Sequence, residues 1–421
     1  MSTRQPPPGA DTRRPPGLYF DWQAGAATPV SMPCGVPLFV GLTGSAQQRA
    51  DAAVLRRLTR WQQFDMQFPG DAVSSLLACA VRGFFENGGA LCYVMPVALT
   101  SAQPAEAIAS AFVALFEAGC VLDDIEDIDL VCVPDIMTEA VAASPSMVVE
   151  LQSCVTDYCA RMGDRFAILD AYLGDPARLK EGVLPQDVLI ETVGQWQALP
   201  PRHGAIYFPW ILVEGQRSID GFAQPDLLVP PCGHVAGVYA RSDRRIGPHK
   251  PPANELIVGA LDLAFDVGDS DQTMLNSAGV NCLRASRGWG IRIWGARTLS
   301  DRPAWMYVNV TRVMLALKRW IERDLRDLVF EVNSPLLWRL ITARIDEHCR
   351  TLYRQGALKG RQFSEAYFVK CDAETNAQYS RESGIVVADV GLAPEVPGEF
   401  VIVRITQAAS GVTVAEAGAA L

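Results

Sequence analysis

Two aspartates stand where an α/β enzyme would place its working groups. Asp135 and Asp170 close candidate strands at Leu130–Pro134 and Phe166–Asp170, and folds of that class gather catalytic groups beyond the C-terminal ends of their strands. With His203 as base and a serine such as Ser218 as nucleophile, a hydrolase triad is conceivable. The rest of the chain argues against it. No Gly-x-Ser-x-Gly elbow occurs. Only four histidines are present, His203, His234, His249 and His348, and each falls in a turn or helical pattern that explains it without chemistry. Neither a P-loop nor the dinucleotide-binding glycine spacing appears. The acidic run Asp123, Asp124, Glu126, Asp127 and Asp129 lacks the glycine and the distal glutamate of a calcium loop, and reads as a solvated loop. No catalytic, cofactor-binding or metal-ligating residue is assigned, and the chain reads as a non-enzyme.

A second group of residues has a spacing that suggests contact rather than catalysis. Arg312, Arg319, Arg323 and Arg326 recur at i, i+7, i+11 and i+14. At about 100° per residue they share one narrow face of a helix. Arginine forks suit bidentate contact with carboxylates, so the stripe fits an acidic protein partner or, failing that, solvent. Between Arg284 and Arg361 there are 16 Lys and Arg against 7 Asp and Glu, a local charge of +9 in a chain of net charge −10. The acidic remainder argues against nucleic acid as the main partner.

The elements that must position these residues follow from periodicity. From about Val30 to Val213 strand and helix patterns alternate, with strands at Pro37–Leu42, Leu91–Val97, Leu130–Pro134, Phe166–Asp170 and Ile206–Val213. That alternation implies a sheet of largely parallel character with helices on its faces. A helix with Asp71 as candidate cap runs to Gly88, and others cross Ile108–Phe116, Met147–Met162 and Pro185–Trp196. The last third differs. An amphipathic helix spans Asn309–Val329, and a second begins at Ser334-Pro335 and reaches Gly356. Strand-like runs follow at Tyr367–Cys371, Ile385–Val390 and Phe400–Thr406, and the tail Ala408–Leu421 reads as frayed.

The N-terminus is Pro-rich and polar, so residues 1–17 read as an extended arm carrying a short apolar run, Leu18–Trp22. A lone strand on a tether must pair with a distant sheet edge or with another molecule. The N-terminus has no apolar core resembling a secretory signal, and no apolar run approaches the roughly 18 residues that span a bilayer. Cytoplasmic synthesis without membrane insertion is expected. The 11 cysteines form no C-x-x-C pair and read as reduced, buried thiols.

The densest signature lies past the middle: HKPPAN (His249–Asn254), LNSAGVN (Leu275–Asn281) and GWGIRIWGARTL (Gly288–Leu299). Glycine and asparagine at set places point to turns and close backbone approaches. These motifs closely resemble the core of contractile tail sheath proteins, the family of phage tails, R-type pyocins and extracellular contractile injection systems. RPPGLYFDW (Arg14–Trp22), VRGFFENGGALCYVMPV (Val81–Val97) and PPCGHVAGVYARSD (Pro230–Asp243) also look family-like, so that the resemblance covers most of Pro15–Gln407. Its core motif maps to Asn254, Asn276, Gly279, Asn281, Trp294, Gly295, Arg297 and Thr298.

The resemblance implies a structural subunit that polymerises in helically stacked hexameric rings around an inner tube. Contraction of that sleeve would drive the tube through a target envelope. Baseplate and terminal cap proteins are further implied partners. A baseplate or cap component with a sheath-like domain, and an α/β hydrolase, remain the alternatives. The expected architecture is a mixed, largely parallel α/β outer domain at 23–245, then a C-terminal α+β inner domain at 246–407 with β-strands shared between subunits. An N-terminal arm (1–22) and a tail (408–421) flank them. The resemblance assigns intersubunit strands to Leu18, Tyr19, Phe20 and Trp22 and to Phe400, Val401, Ile402, Val403 and Ile405. It assigns the inner-tube contact to Arg312, Arg319, Arg323 and Arg326.

Overall fold

The computed structural model of the protein describes residues 34–44, 54–68, 75–173, 186–215, 225–286, 288–378 and 385–398, and the backbone of 403–408 and 411–416. Its strands are β1 (Pro37–Leu42), β2 (Arg56–Leu58), β3 (Cys92–Val97), β4 (Leu130–Cys132), β5 (Phe166–Asp170), β6 (Gly204–Phe208), β7 (Ile211–Val213), β8 (Leu227–Val229), β9 (Ala260–Leu263), β10 (Asn281–Ser286), β11 (Gly290–Trp294), β12 (Tyr367–Lys370), β13 (Asp389–Leu392), β14 (Val403–Ala408) and β15 (Gly411–Glu416). The helices are α1 (Trp61–Gln67), α2 (Leu76–Glu86), α3 (Ala105–Leu115), α4 (Glu139–Ala142), α5 (Pro145–Met162), α6 (Gln186–Ala198), α7 (Cys232–Arg245), α8 (Asp269–Ala278), α9 (Val308–Asp324), α10 (Pro335–Arg354) and α11 (Phe363–Ala366).

Eight strands form one sheet in the order β11-β10-β6-β5-β4-β1-β3-β2. Every pairing from β10 to β3 is parallel, and only the edge strands β11 and β2 run antiparallel to their neighbours. The inner strands are buried on both faces, which explains apolar runs such as CYVMPV without alternation. Successive residues feed opposite cores. Leu38 and Val40 pack with Ile108 and Phe112 of α3 and Val148, Leu151 and Val155 of α5. Phe39 packs instead with Phe84 of α2 and Val235 and Tyr239 of α7. On that second face α2 and α7 approach through glycines. A Cβ on Gly233 would lie 2.2 Å from the carbonyl oxygen of Ala80, and one on Gly237 2.5 Å from that of Phe84.

The largely parallel α/β organisation is as the alternation implies, with three adjustments. The expected strand Ile206–Val213 is divided at Pro209 into β6 and β7, as a residue without an amide hydrogen requires. The expected boundary between Arg245 and Ile246 falls inside the sheet-bearing part, because β10 and β11 extend the same sheet to Trp294. Composition changes at that point because edge strands and their connections are more polar, not because a new core begins. The third core starts within α9. Val313 and Leu317 pack there with Leu337, Trp338, Ile341 and Ile345 of α10 and with Tyr367 of β12. α9 serves both sides, since its Val308 and Leu315 belong to the sheet core.

In the C-terminal part, Ser334 caps α10 by accepting a hydrogen bond from the Leu337 amide, and Pro335 opens the first turn, as expected. The expected strand Ile385–Val390 is shifted to β13, which pairs antiparallel with β12. β14 pairs antiparallel with β15, so the tail expected to fray carries a strand over Gly411–Glu416. Alternating Val412 and Val414 between small and polar residues provide its β pattern.

Candidate functional site

The conspicuous polar site is built where α9 crosses the ends of the sheet. Arg312, the first rung, is buried, with only 3% of its side chain exposed. Its Nη1 donates to Asp243 Oδ1 at 2.8 Å and its Nη2 to Asp243 Oδ2 at 2.5 Å and Asp129 Oδ2 at 3.2 Å. The guanidinium also lies 4.7 Å from the centre of the Tyr239 ring. Burial works against its charge, and Asp243 and Asp129 overcome that cost. Asp129 is itself fixed by accepting the backbone N–H groups of Gly35 and Val36 at 2.9 and 2.5 Å.

The next rungs loosen in sequence. Arg319 has 6% of its side chain exposed, and its carboxylate partners Asp164 and Asp129 are 3.8 and 3.9 Å away. Its nearest acceptor is the Asp164 carbonyl at 3.4 Å. Arg323, 34% exposed, reaches Glu126 and Asp127 at 3.5 Å. Arg326, 62% exposed, pairs with Glu126 at 2.8 Å. Arg312, Arg319 and Arg323 share one face of α9, Arg326 follows in the 3-10 turn at Arg326–Leu328, and all four look inward onto carboxylates of the chain. Arg312 and Arg319 are buried within the chain, Arg312 held by two carboxylates and Arg319 only loosely, while Arg323 and Arg326 keep much of their side chains exposed. The run Asp123–Asp129 is likewise no merely solvated loop. Asp123 takes Arg161 at 2.6 Å, while Glu126, Asp127 and Asp129 hold α9. Helical spacing reveals that residues share a face but not what the face meets. Asp164 and Asp243 carried no signal in isolation, whereas the opposite charges of the stripe and the acidic run did.

The family motif serves a related purpose at the other end of the sheet. Asn281 is fully buried. Its side-chain amide donates to Ile206 O at 3.2 Å and Arg297 O at 2.8 Å, and its Oδ1 accepts the Arg297 amide at 2.7 Å. Gly295 is required beside it, as a Cβ there would meet Asn281 Oδ1 at 2.7 Å. Asn254 adopts φ 59° and donates its amide to Ile293 O at 2.7 Å, which covers the open side of β11. Gly279, at φ 95°, ends α8 against Trp196, and its amide donates to Asn276 O. Thr298 Oγ1 donates to Trp305 O at 2.6 Å, and the Arg297 guanidinium lies 5.1 Å from the centre of the Tyr307 ring. Trp294 remains 41% exposed on the edge strand.

The residues considered for catalysis hold structure instead. Asp170 is buried and its Oδ1 accepts the Cys232 amide at 2.8 Å at the start of α7. Burial pushes its carboxyl up to about 7, against the opposing hydrogen bond. Asp135 Oδ2 accepts the Leu42 amide at 2.5 Å. The His203 ring packs against Trp305, and Ser218 lies outside the described residues. Among the terminal-strand residues, Leu18, Tyr19, Phe20, Trp22, Phe400, Val401 and Ile402 also lie outside them. Val403 and Ile405 fall in β14, opposite Glu416 and Val414 of the same chain.

The sheet is clothed on both faces, and its buried carboxylates are committed to arginines and backbone amides. The phage tail sheath central-domain model matches residues 121–299, and the phage tail sheath C-terminal-domain model matches residues 300–408. The two together span well over half of the chain, which belongs to the phage tail sheath family. Their junction falls just before α9. A chain of the anti-feeding prophage (AFP) baseplate is 28% identical with TM-score 0.72, covering 94% of this chain and 99% of its own. A chain of the PVC sheath complex, an extracellular contractile injection system in the contracted state, is 26% identical with TM-score 0.71, covering 94% and 98%. The tail sheath protein of Salmonella phage ViI is 26% identical over 171 residues, 40% of this chain but only 26% of that protein. The match thus spans about a quarter of that relative's length.

Proposed function

We propose that this chain is the repeating subunit of a contractile sheath. The observation that carries the reading is its likeness, over nearly its whole length, to a chain of a contracted sheath complex. Copies stack as rings, six to a ring, into a helical sleeve around an inner tube. The sleeve repacks to a shorter form and drives the tube forward, with baseplate and cap proteins at its ends. The work is mechanical, and a few kcal/mol per copy, summed over many copies, makes the stroke effectively irreversible. Segments at both termini, including Leu18–Trp22 and Phe400–Ile405, pair with neighbouring copies by strand addition, which keeps backbone hydrogen bonds while rigid bodies swing. The particle is a phage tail or an extracellular tail-like particle assembled in the bacterial cytoplasm.

Electron microscopy of the chain expressed alone tests this. Long tubes are expected, and a species that remains single at high concentration would refute the proposal. A baseplate role is the second reading, favoured by the likeness to a chain of the AFP baseplate. It predicts single rings or none, even when the tube protein is present.

A further inference from the structure

The second half of α9 is fastened to the body by polar groups. Val308 and Leu315 belong to the sheet core, whereas Leu317, Trp320 and Ile321 pack into the lobe. Beneath this half lies the turn Gly163–Arg165 between α5 and β5. Lys318 Nζ donates to Met162 O at 3.1 Å, and Arg319 Nη2 to Asp164 O at 3.4 Å. Arg323 and Arg326 continue the row onto Glu126 and Asp127. Lifting this half past Leu315 would therefore expose charged groups to water rather than open a hydrophobic core, the kind of local opening that costs a fold least.

Three buried carboxylates lie under α9, and they are held differently. Asp243 takes both prongs of Arg312, and Asp129 accepts two backbone amides. The Asp164 side chain is 12% exposed, and its Oδ1 has no hydrogen-bond partner among the described residues. The Nε of Arg165 and the Nε of Arg319 stand 3.6 and 3.8 Å from its oxygens, beyond hydrogen-bond reach. A carboxyl buried in this way favours its neutral form. Burial pushes it up to about 6, with Arg319 and Lys318 pulling the other way and Glu322 and Asp129 adding to the rise. The Cys159 thiol of α5, which also faces Asp164, is pushed well above its usual range by burial and stays neutral.

We propose that Asp164 is a proton-operated latch under α9: while its carboxyl is protonated the second half of the helix stays seated on the body, and when it ionises that half, with the lobe, lifts more readily. Lifting hydrates the carboxyl and returns it to its ordinary 3.8. The seated form therefore binds the proton more tightly than the lifted form. Acid holds the latch shut, and neutral pH loosens it. Arg319 does not reverse this sign, because its own Nε and Nη1 have no hydrogen-bond partner among the described residues in the seated form. The inference concerns the single subunit and stands apart from the sheath reading.

Hydrogen exchange of the full-length chain, followed by mass spectrometry and corrected for the intrinsic rate at each pH, tests the latch. Peptides over the turn at 163–166 and over α9 from Lys318 to Asp324 report lifting, and β1 reports global unfolding. Opening at the turn and half-helix should be about tenfold more frequent at pH 7.5 than at pH 5, beyond any change in β1, and should level off above about pH 6. Asp164→Asn keeps the shape and cannot ionise. It should hold exchange at the slow, acid level throughout, and melt no lower than the wild type at pH 7.5. Local exchange in the wild type that does not change with pH would overturn the latch. So would a change shared equally by β1, or the same tenfold change in Asp164→Asn. If that variant does not fold, the wild-type profile at the turn, set against β1, decides by itself.

Discussion

The sheet-bearing body and the C-terminal lobe handle exposed and charged groups in opposite ways. In the body, the six inner strands are parallel and clothed on both faces, the edge β11 is covered by the Asn254–Ile257 segment, and Arg312 is saturated by carboxylates. In the lobe, strands come in pairs, β12 with β13 and β14 with β15, and apolar side chains such as Phe330, Phe368 and Leu336 face solvent. Exposed apolar side chains occur on the body too, among them Met66, Ile190 and Trp289, but there they are scattered, whereas in the lobe several follow one another along the α9–α10 connection and the start of α10. α9 joins body and lobe, and the arginines along it and in the turn that follows grade from buried Arg312 to exposed Arg326. The sheath role proposed above would ask this of a part that moves as a rigid unit yet stays connected.

The largest expected effect lies at the buried end of the joint. Arg312→Met removes the counter-charge of Asp243 and Asp129 while keeping most of the side-chain volume. Breaking one side of a buried ion pair costs about 3–5 kcal/mol, to be measured by denaturant unfolding. A loss below about 1 kcal/mol would mean that the joint is held by packing alone and that the body is less self-contained than drawn.

Acid should weaken the body through His234. Its ring is buried between α2 and α7, with Nδ1 unpartnered, and burial holds its pKa down at about 4. The unfolded chain therefore takes up the proton first. The stability tied to His234 is complete above about pH 6.5 and declines as pH falls towards 4. Asp164 and Asp170 act with the opposite sign. Burial raises them to about 6 and about 7, so the folded chain protonates first and their cost grows as pH rises from about 4. Comparing wild type with His234→Gln isolates the histidine: between pH 7.5 and 4.5 the wild type should lose about 2–3 kcal/mol relative to the variant. Parallel pH curves would show the ring to be wetter than its packing indicates.

A smaller effect is expected where α2 meets α7. The Cβ of Gly233→Ala would collide with the Ala80 backbone, which cannot turn aside as a side chain can. Forced separation of the helices should cost about 1–3 kcal/mol and lower the melting temperature. An unchanged melting temperature would show that the two helices slide apart freely.

Much of the body was legible in the sequence, because parallel strands buried on both faces write uninterrupted apolar runs, and amphipathic helices write a 3.6 period. Pro37–Leu42 and Phe166–Asp170 appear with their expected limits. The start of α10 could be read from Ser334-Pro335, since a cap and a first-turn proline are local devices. Other features were not legible because they depend on partners distant in sequence. How far the sheet runs past 245 could not be read, since strand order is a long-range property. What the arginine stripe meets was not legible, because nothing in a helix's own sequence distinguishes a solvent-facing arginine from one aimed at Asp243, 69 residues away. The exposure of Phe330 was not legible, because a single exposed aromatic has no period.

The smallest effect completes the comparison. Arg326→Ala removes the outermost rung, whose side chain is 62% exposed and whose partner Glu126 is 48% exposed. Water can replace that pairing, so the loss should stay within about 0.5 kcal/mol and vanish at high salt. The informative result is the ratio of this loss to that of Arg312→Met. If both rungs cost alike, α9 is fastened evenly and the lobe belongs to the body. If the costs fall steeply from Arg312 to Arg326, the free end of the joint is held only weakly. The lobe could then adjust to neighbouring copies without disturbing the sheet that carries it.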